Sequence, residues 1–132
     1  MTDFDQDGIK DIFITNGIKR RPNDLDYLKF VVSDSLHYGL PISKALEQEA
    51  LDKMPEGRWH NYFFKGTKSL KFEDKSEAYG FGAKTISNGS SYADLDNDGD
   101  LDLVVNNIDE LAGIFRNNTQ EISKPNYFIK LL

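Results

Sequence analysis

The chain has 132 residues, of which 39% are hydrophobic and 12% aromatic. This apolar content is enough to bury a core, and it excludes a disordered chain. The net charge is −6, and two dense aspartate clusters hold nine of the 22 acidic residues. The other 13 acidic residues are outnumbered by 16 basic ones, so the negative charge is concentrated in the two clusters. Such a cluster indicates a site rather than a solvating surface. The absence of cysteine excludes disulfides and thiolate metal sites, and no apolar run reaches the roughly 18 residues of a membrane span.

The first aspartate cluster lies in the opening stretch, "MTDFDQDGIKDIFITNG". The residues behind it, Ile9 to Thr15, are short, β-branched and aromatic, and they end at Asn16-Gly17, a strong turn signal. This pattern predicts a strand that follows the acidic loop directly.

The segment from residue 23 to residue 57 has helical periodicity in two parts. In the first part Asn23 is the predicted N-cap and Gly39 follows the end, and the apolar positions are Leu25, Leu28, Val32 and Leu36. In the second part Ser43 is the predicted cap and Pro55 ends the helix, and the apolar positions are Leu46, Ala50 and Met54. Residues 23–57 therefore predict a helical hairpin.

Strand-forming residues return from residue 58 onward. "NYFFK" and "LKFED" flank a four-residue turn and predict a hairpin, "SEAYGF" predicts a short helical or turn segment, and "NGSSYAD" leads into the second aspartate cluster. Three more strands are predicted, at residues 101–106, at "AGIFRNNT" and at "NYFIKLL". The predicted fold class is mainly β with an α-helical insertion, in which a β-repeat region (residues 1–22 and 58–132) is interrupted by the hairpin at 23–57.

The two aspartate clusters form an internal repeat. Aligning Asp3 with Asp94 gives an offset of 91 residues and keeps Gly8 and Gly99 in register, together with the apolar runs behind them. Without the helical hairpin of about 35 residues, this offset falls to about 56, close to the length of a four-stranded propeller blade. The repeat predicts a partial β-propeller, about one full blade with flanking half-blades, with the acidic loops between strands.

Both loops have the pattern D-x-D-x-D-G-x-x-D, which supplies the hard oxygen ligands that calcium prefers. The carboxylates at positions one, three, five and nine would repel one another without a cation, so we predict two Ca²⁺ sites. The predicted ligands of the first site are Asp3, Asp5, Asp7 and Asp11 with the carbonyl of Ile9, and those of the second are Asp94, Asp96, Asp98 and Asp102 with the carbonyl of Asp100. The Asp100 side chain itself is predicted to point outward.

Other interpretations of the loops fit less well. An EF-hand requires a glutamate at position twelve and a helix on both sides, whereas position twelve here is Ile14 or Val105, inside a strand-like run. Dockerin-like loops also continue into a helix. Asp-Gly and Asn-Asp-Gly can simply form turns between strands, but two such loops in register are harder to explain as turns. Magnesium is less suited because it keeps its waters and its octahedral geometry.

The stretches "DFDQDGIKDIFITNG" and "YADLDNDGDLDLVVNN" resemble the calcium-loop halves of FG-GAP/VCBS-type repeats, the repeats of integrin-alpha-like β-propellers. "NYFFKGTKSLKFEDKSEAYGF" resembles the intervening part of such a repeat, and "NYFIKLL" resembles the opening of an ASPIC-type domain. Gly66 stands where the repeat commonly has Asn, and Phe81-Gly82 lies outside the usual Phe-Gly position. The resemblance implies a calcium-binding repeat module of a secreted or surface protein that acts as a binding or adhesion scaffold.

An enzyme and a calcium sensor are the two alternatives to a scaffold. Some polysaccharide lyases that resemble this family use calcium-bearing propellers, so the alternative is a fragment of a calcium-dependent polysaccharide-processing enzyme. Every clustered aspartate is already assigned to a metal loop, however, so no catalytic carboxylate pair is predicted. A calcium sensor needs a switching helix pair, whereas loops flanked by strands predict rigid sites with the weak affinity of extracellular modules.

The expected partner is a protein or carbohydrate ligand, in an extracellular, cell-surface or periplasmic setting, with the export signal outside this chain. The basic stretch Lys19 to Pro22 lacks a wider basic face, so no nucleic-acid partner is predicted. The aromatic cluster beginning at Trp59 is predicted to be core, and His37 and His60 are predicted to be structural or exposed. Because propellers need four to eight blades, the chain is expected to be a fragment whose unpaired strand edges self-associate.

Overall fold

The computed structural model of the protein describes residues 1–21, 23–29 and 44–122. The chain divides into a larger unit, Met1–Gly17 with Trp59–Leu132, and a smaller unit, Ile18–Arg58. Within the described ranges, each helix is too short or too polar to form a transmembrane span.

The described part of the smaller unit contains two helical segments and an isolated antiparallel bridge between Arg20 and Glu56. Residues 25–29 form helix, and a second helix runs over Lys44–Lys53, where the sequence predicts one. The N-cap of the first helix is Asp24 and not Asn23 as predicted, because Oδ1 of Asp24 accepts the backbone N–H groups of Asp26 (3.0 Å) and Tyr27 (3.3 Å). The predictions for Val32, Leu36, His37, Gly39 and Ser43 lie outside the described residues, as do those for the side chains of Leu46 and Ala50.

The larger unit is built from two antiparallel three-stranded sheets, and the prediction of a mainly β protein is confirmed. The first sheet has the order β1-β2-β3, with β1 Ile12–Ile14, β2 Tyr62–Gly66 and β3 Phe72–Asp74. The second has the order β4-β5-β6, with β4 Ser87–Ala93, β5 Asp102–Asn107 and β6 Gly113–Phe115. A one-turn helix, Thr119–Ile122, follows β6. The sheets of the described residues do not close into a barrel.

Most predicted β elements are present. The hairpin of β2 and β3, the strand β5 and the strand β6 lie where the sequence predicts them, and residues 76–80 form a turn. Strand β1 is shorter than the predicted Ile9–Thr15, because Asp11 instead forms an isolated bridge with Thr2 that closes the acidic loop. The strand predicted for "NYFIKLL" lies outside the described residues.

The sequence predicts neither the one-turn helix after β6 nor strand β4. Its sequence, SNGSSYA, contains no β-branched apolar residue and carries two signals typical of turns. It is held by antiparallel pairing with β5 and by Ser87, whose buried hydroxyl accepts a hydrogen bond from Nδ2 of Asn61 (3.0 Å) and donates one to Oδ1 of Asn107 (2.7 Å). Tertiary partners therefore outweigh its weak intrinsic preference.

The core is an aromatic and aliphatic cluster that belongs to both sheets. Its buried members are Phe4, Phe63, Phe81, Leu103 and Val105, and its half-buried members are Phe13, Leu101 and Phe115. The ring of Phe81 joins the two sheets, since its centroid lies 5.0 Å from that of Phe13 and 4.7 Å from that of Phe115. Such tilted aromatic pairs favour a defined packing arrangement.

The two sheets contribute different faces to this core. Phe13 lies opposite Phe63 on the first sheet, so their side chains share one face. Leu103 lies opposite Phe115 on the second sheet, and they share its core-facing side.

In the repeat alignment, the residues that face the core in the second sheet align with residues on the outer face of the first sheet. Ile12 aligns with Leu103 and Ile14 with Val105, and each pair occupies the same register against its neighbouring strand. Val105 is 1% exposed, whereas Ile14 is 46% exposed. The first sheet therefore carries apolar residues on both faces.

Candidate metal centres

The first aspartate loop curls around the carboxylate of Asp3. Oδ1 of Asp3 accepts the backbone N–H of Asp7 (3.1 Å), and Oδ2 accepts that of Gly8 (2.8 Å). Oδ1 of Asp7 in turn accepts the N–H of Ile9 (2.9 Å). Gly8 has a φ of 87°, a conformation that glycine adopts without steric cost. Short-range bonds from side chain to backbone thus hold the loop in a tight turn.

The second loop repeats this arrangement. Oδ2 of Asp94 accepts the N–H of Gly99 (3.2 Å), Oδ1 of Asp96 accepts that of Asp98 (3.3 Å), and Oδ1 of Asp98 accepts that of Asp100 (2.9 Å). Gly99 has a φ of 95°. Each of these features has its counterpart 91 residues earlier, so the two loops share one backbone design.

The last aspartate of the first loop, Asp11, is buried, with 1% of its surface exposed. Its Oδ2 accepts the N–H of Phe4 (3.1 Å) and its Oδ1 accepts the N–H of Gly66 (2.9 Å), at the end of β2. Burial raises the pKa of Asp11, and the hydrogen bonds from Gly66 and Phe4 oppose that rise. Asp11 therefore ties the loop to the first sheet.

Asp102 has the same role in the second loop and is 2% exposed. Its Oδ2 accepts the N–H of Leu95 (3.0 Å), and its Oδ1 accepts the N–H of Asn117 (2.8 Å), which follows β6. The side chain of Asn117 also donates from Nδ2 to the carbonyl of Phe4, 2.7 Å away in the first loop. Each loop is thus anchored at the end of the second strand after it, which is β2 for the first loop and β6 for the second.

Carboxylate oxygens converge at one point in each loop, and within each group the oxygens lie within 4.8 Å of one another. The groups are Asp3, Asp5 and Asp11 in the first loop, and Asp94, Asp96 and Asp98 in the second. Two other predicted ligands, Asp7 and Asp102, lie outside these groups. The structure therefore brings together three of the four predicted side chains in each loop.

The prediction that the Asp100 side chain points outward was wrong. Asp100 is fully buried, its Oδ1 accepts a hydrogen bond from Nε2 of Gln6 (3.2 Å), and its Oδ2 accepts the N–H of Gln120 (2.9 Å). Gln6 also donates to the carbonyl of Gly99 (2.8 Å). Gln6 belongs to the first loop, so the burial of Asp100 depends on a contact that the second loop alone does not predict. The carbonyl ligands assigned to Ile9 and Asp100 stay predictions.

A lysine on β2 contacts the first loop. The Nζ atom of Lys65 binds Oδ2 of Asp5 and lies 3.8 Å from Oδ2 of Asp7. All three side chains are partly buried, at 30%, 21% and 31% exposure. The hydrogen bond to Asp5 raises the pKa of Lys65, so the ammonium is retained over the whole physiological range.

An arginine contacts the second loop in the same way. Nε of Arg116 donates to Oδ2 of Asp96 (2.7 Å), and a terminal guanidinium nitrogen lies 3.3 Å from Oδ2 of Asp98 and 2.8 Å from Oε1 of Glu121. The N–H of Asp100 and the guanidinium of Arg116 lower the pKa of Asp98.

Sequence reasoning missed Lys65 and Arg116. A signal for them exists, because "FKG" on β2 aligns with "FRN", which begins at the last residue of β6, when the repeat is extended to the strand after β1 and the strand after β5. In this alignment Gly66 matches Asn117, and these two residues supply the equivalent amides to the buried aspartates.

The aromatic cluster predicted to be core is divided between the core and the surface. Phe63 is 5% exposed, whereas Trp59 is 38% exposed and donates from Nε1 to the hydroxyl of Tyr62 (2.6 Å). The ring of His60 lies 4.3 Å from that of Tyr62. Among the described residues, His60 belongs to neither group of metal-ligating side chains.

The converging oxygens fit a hard divalent cation. Ligands that bind one Ca²⁺ at roughly 2.3–2.6 Å are at most about 5 Å apart, and each group of oxygens spans no more than 4.8 Å. A donor set made only of carboxylates favours Ca²⁺ or Mg²⁺ over the metals that select nitrogen and sulfur.

Comparisons of the chain with models of known families, with curated proteins and with solved structures found no match. The two loops can be compared with each other residue by residue, because they repeat at an offset of 91 residues.

Proposed function

We propose that the chain is a calcium-binding β-repeat module in which each aspartate loop holds one structural Ca²⁺. The observation that carries the proposal is the correspondence between the two loops. They lie 91 residues apart, make matching hydrogen bonds from backbone N–H groups to carboxylates, and each bring three carboxylates within 4.8 Å. The third member of the group differs, since it is position nine in the first loop and position five in the second. A pair of ordinary turns has no need to bring three carboxylates together, because like charges repel one another.

In this proposal Asp3, Asp5 and Asp11 hold one ion, and Asp94, Asp96 and Asp98 hold the other. The carbonyls of Ile9 and Asp100 complete the two sites, as expected for position seven of such a loop. The ion supplies positive charge where carboxylates are crowded, and in the first loop it binds Asp11, the carboxylate that is tied to β2.

We further propose that the two sheets belong to a partial β-propeller of the FG-GAP/VCBS type. The support is the relation between sheet faces. The face of the second sheet that carries Leu103 and Val105 packs in the core, and the matching face of the first sheet carries Ile12 and Ile14. Stacking of further sheets against such faces is how propeller blades bury apolar residues on both sides.

The exposed edges and faces support self-association as part of this proposal. Ile14 on β1 and Phe72 on β3 are 46% and 49% exposed, on the two edge strands of the first sheet within the described residues. Exposed edges of this kind pair readily with other chains. Sedimentation velocity over a range of concentrations should show an increasing weight-average mass, and a concentration-independent monomer would contradict it.

A calcium-binding scaffold of this kind suits a secreted or surface protein that engages a protein or carbohydrate ligand. Extracellular modules bind calcium with dissociation constants on the order of 10⁻⁴–10⁻³ M, which matches the calcium supply outside cells. Loops held rigidly between strands favour a structural ion over a sensor.

The test is a calorimetric titration of the chelator-treated chain with calcium. Wild type is expected to bind two ions, and Asp5→Ala and Asp96→Ala are expected to bind one each. Asp26→Ala is the matched control, since that side chain is 93% exposed and lies far from the loops in sequence. Calcium should also raise the melting temperature of the wild type, because a ligand of the native state stabilises it by mass action.

Two results would contradict the proposal. One is the absence of binding heat and of any thermal stabilisation in the wild type. The other is two-site binding that persists in both loop variants, which would place the calcium elsewhere.

A further inference from the structure

Lys65 and Arg116 occupy equivalent places relative to the two loops. Lys65 lies on β2 and Arg116 directly follows β6, and each of these strands is paired with the strand after a loop. Each residue immediately precedes the one whose N–H binds the buried aspartate. Lys65 contacts the third and fifth positions of its loop, and Arg116 contacts the same two positions of the other. A basic residue at the same point of both repeats indicates a shared role.

The contacted carboxylates overlap with the converging groups. Asp5 belongs to the first group, and Asp96 and Asp98 belong to the second. Their oxygens therefore bind a cationic side chain in the same region where a divalent ion would bind. Two cations that share carboxylates repel each other, so they compete.

We propose that Lys65 and Arg116 are internal counter-ions of the aspartate loops. They hold the carboxylates together when no metal is bound, and they lower the affinity of the loops for calcium. The second half of this statement rests on the proposed function, whereas the first half concerns the metal-free chain alone.

The two counter-ions differ in strength. Lys65 and Asp5 are 30% and 21% exposed, so water and salt screen their contact only in part. Arg116 is 52% exposed and also contacts Glu121, which lies outside the loop, so its charge is shared and screened. The larger effect on calcium binding is therefore expected at the first loop.

The test uses Lys65→Met, which removes the charge and keeps most of the length of the side chain. Lys68→Met is the matched control, because Lys68 is exposed in the turn after β2 and its loss changes the net charge equally. In calcium titrations of the full chain, Lys65→Met is expected to tighten one of the two sites by about twofold to fivefold. Lys65→Arg restores the charge and is expected to restore the wild-type affinity, and Arg116→Met gives the smaller effect at the other site.

The same variants are melted in chelator, where calcium has no part. Lys65→Met is expected to melt about 2–5 °C below Lys68→Met. Equal melting temperatures for the two variants would overturn the counter-ion role. If Lys65→Met folds only when calcium is added, the role is supported, because the ion then replaces the missing charge.

The calorimetric outcomes separate the two proposals. Binding of equal affinity in Lys65→Met and Lys68→Met overturns the competition and leaves the calcium sites intact. Absence of binding heat in every protein, wild type included, overturns the calcium sites and the competition with them. Tighter binding in Lys65→Met than in Lys68→Met, reversed in Lys65→Arg, supports both.

Discussion

The carboxylate of Asp11 and the backbone amide of Gly66 are 55 residues apart in the chain and are joined by a hydrogen bond of 2.9 Å. Asp11 closes the first acidic loop, and Gly66 ends β2. The bond therefore connects a local feature of the sequence, the loop, to the sheet that supports it. The equivalent bond between Asp102 and Asn117 does the same for the second loop.

Replacing Asp11 by asparagine should destabilise the chain. The change turns one acceptor oxygen into an NH₂ group beside a backbone N–H donor, in a site that is 1% exposed. We expect a loss of about 1.5–3 kcal/mol in the free energy of unfolding, the usual result when a buried donor loses its charged partner. Urea unfolding measures it, with Asp26→Asn as the control, expected to change stability by less than about 0.5 kcal/mol. Equal midpoints for the two variants would contradict the assignment of Asp11 as an anchor.

The contact between Gln6 and Asp100 should be visible as an energetic coupling. Gln6 donates to the buried carboxylate of Asp100 (3.2 Å) and to the carbonyl of Gly99 (2.8 Å). In a double-mutant cycle with Gln6→Ala and Asp100→Ala, we expect a coupling energy of about 0.5–2 kcal/mol. The cycle of Gln6→Ala with the exposed Asp26→Ala serves as the reference and should be additive. Additivity in both cycles would show that the loops are energetically independent.

Three glycines allow the cost of backbone strain to be measured separately from any effect on calcium binding. Gly8, Gly80 and Gly89 each have open space where a Cβ would lie, but only Gly8 and Gly80 have positive φ, at 87° and 86°. Alanine at either of these two should cost about 1 kcal/mol of stability through backbone strain alone, and at Gly89 much less.

Calcium titration of the same three variants tests whether the curl at Gly8 serves the metal site. Gly8→Ala should weaken the first calcium site, whereas Gly80→Ala, with equal strain outside the loops, should not. A similar loss of affinity in both variants would mean that the effect comes from lower stability and not from loop geometry.

The turn at Asp74 should contribute to the acid sensitivity of the chain. Ser76 donates both its hydroxyl and its N–H to Oδ1 of Asp74, and these bonds lower the pKa of Asp74. A carboxyl whose pKa is lower in the folded state adds stability above its unfolded-state pKa of about 3.9, and that stability is lost as the pH falls through the folded-state pKa. Asp74→Asn should therefore lose less stability than wild type on acidification from about pH 6 to pH 3. Urea unfolding at both pH values measures this, and Glu73→Gln controls for the loss of one negative charge on the same strand. An acid response in Asp74→Asn as large as in wild type would contradict it.

Sequence reasoning succeeded for elements that local signals specify. The hairpin of β2 and β3 and the strands β5 and β6 combine apolar or aromatic residues with turn residues at their ends, and all are present. It failed for β4, whose serine-rich sequence has little strand preference and whose pairing partner, β5, supplies the missing stabilisation. It also placed the first N-cap at Asn23, although the neighbouring Asp24 has the carboxylate that reaches the free N–H groups.

The candidate metal centres also combine features that the local sequence specifies with contacts that only the fold creates. The curl of each loop follows from glycine at the sixth position and from aspartates that bind N–H groups two to five residues away, so the nine-residue pattern alone predicts converging oxygens. The side chains that complete each loop come from distant parts of the chain. Lys65 reaches Asp5 across 60 residues, and Gln6 reaches Asp100 across 94.

The amino-acid pattern therefore determines the strands with strong local signals and the curl of the acidic loops, because each depends on interactions within about ten residues of chain. Only the tertiary structure decides that Asp100 is buried, that β4 is a strand and that Lys65 and Arg116 contact the loops. The physical reason is that these outcomes depend on which distant groups become neighbours when the two sheets pack, and a hydrogen bond or ion pair forms only once those neighbours are in place.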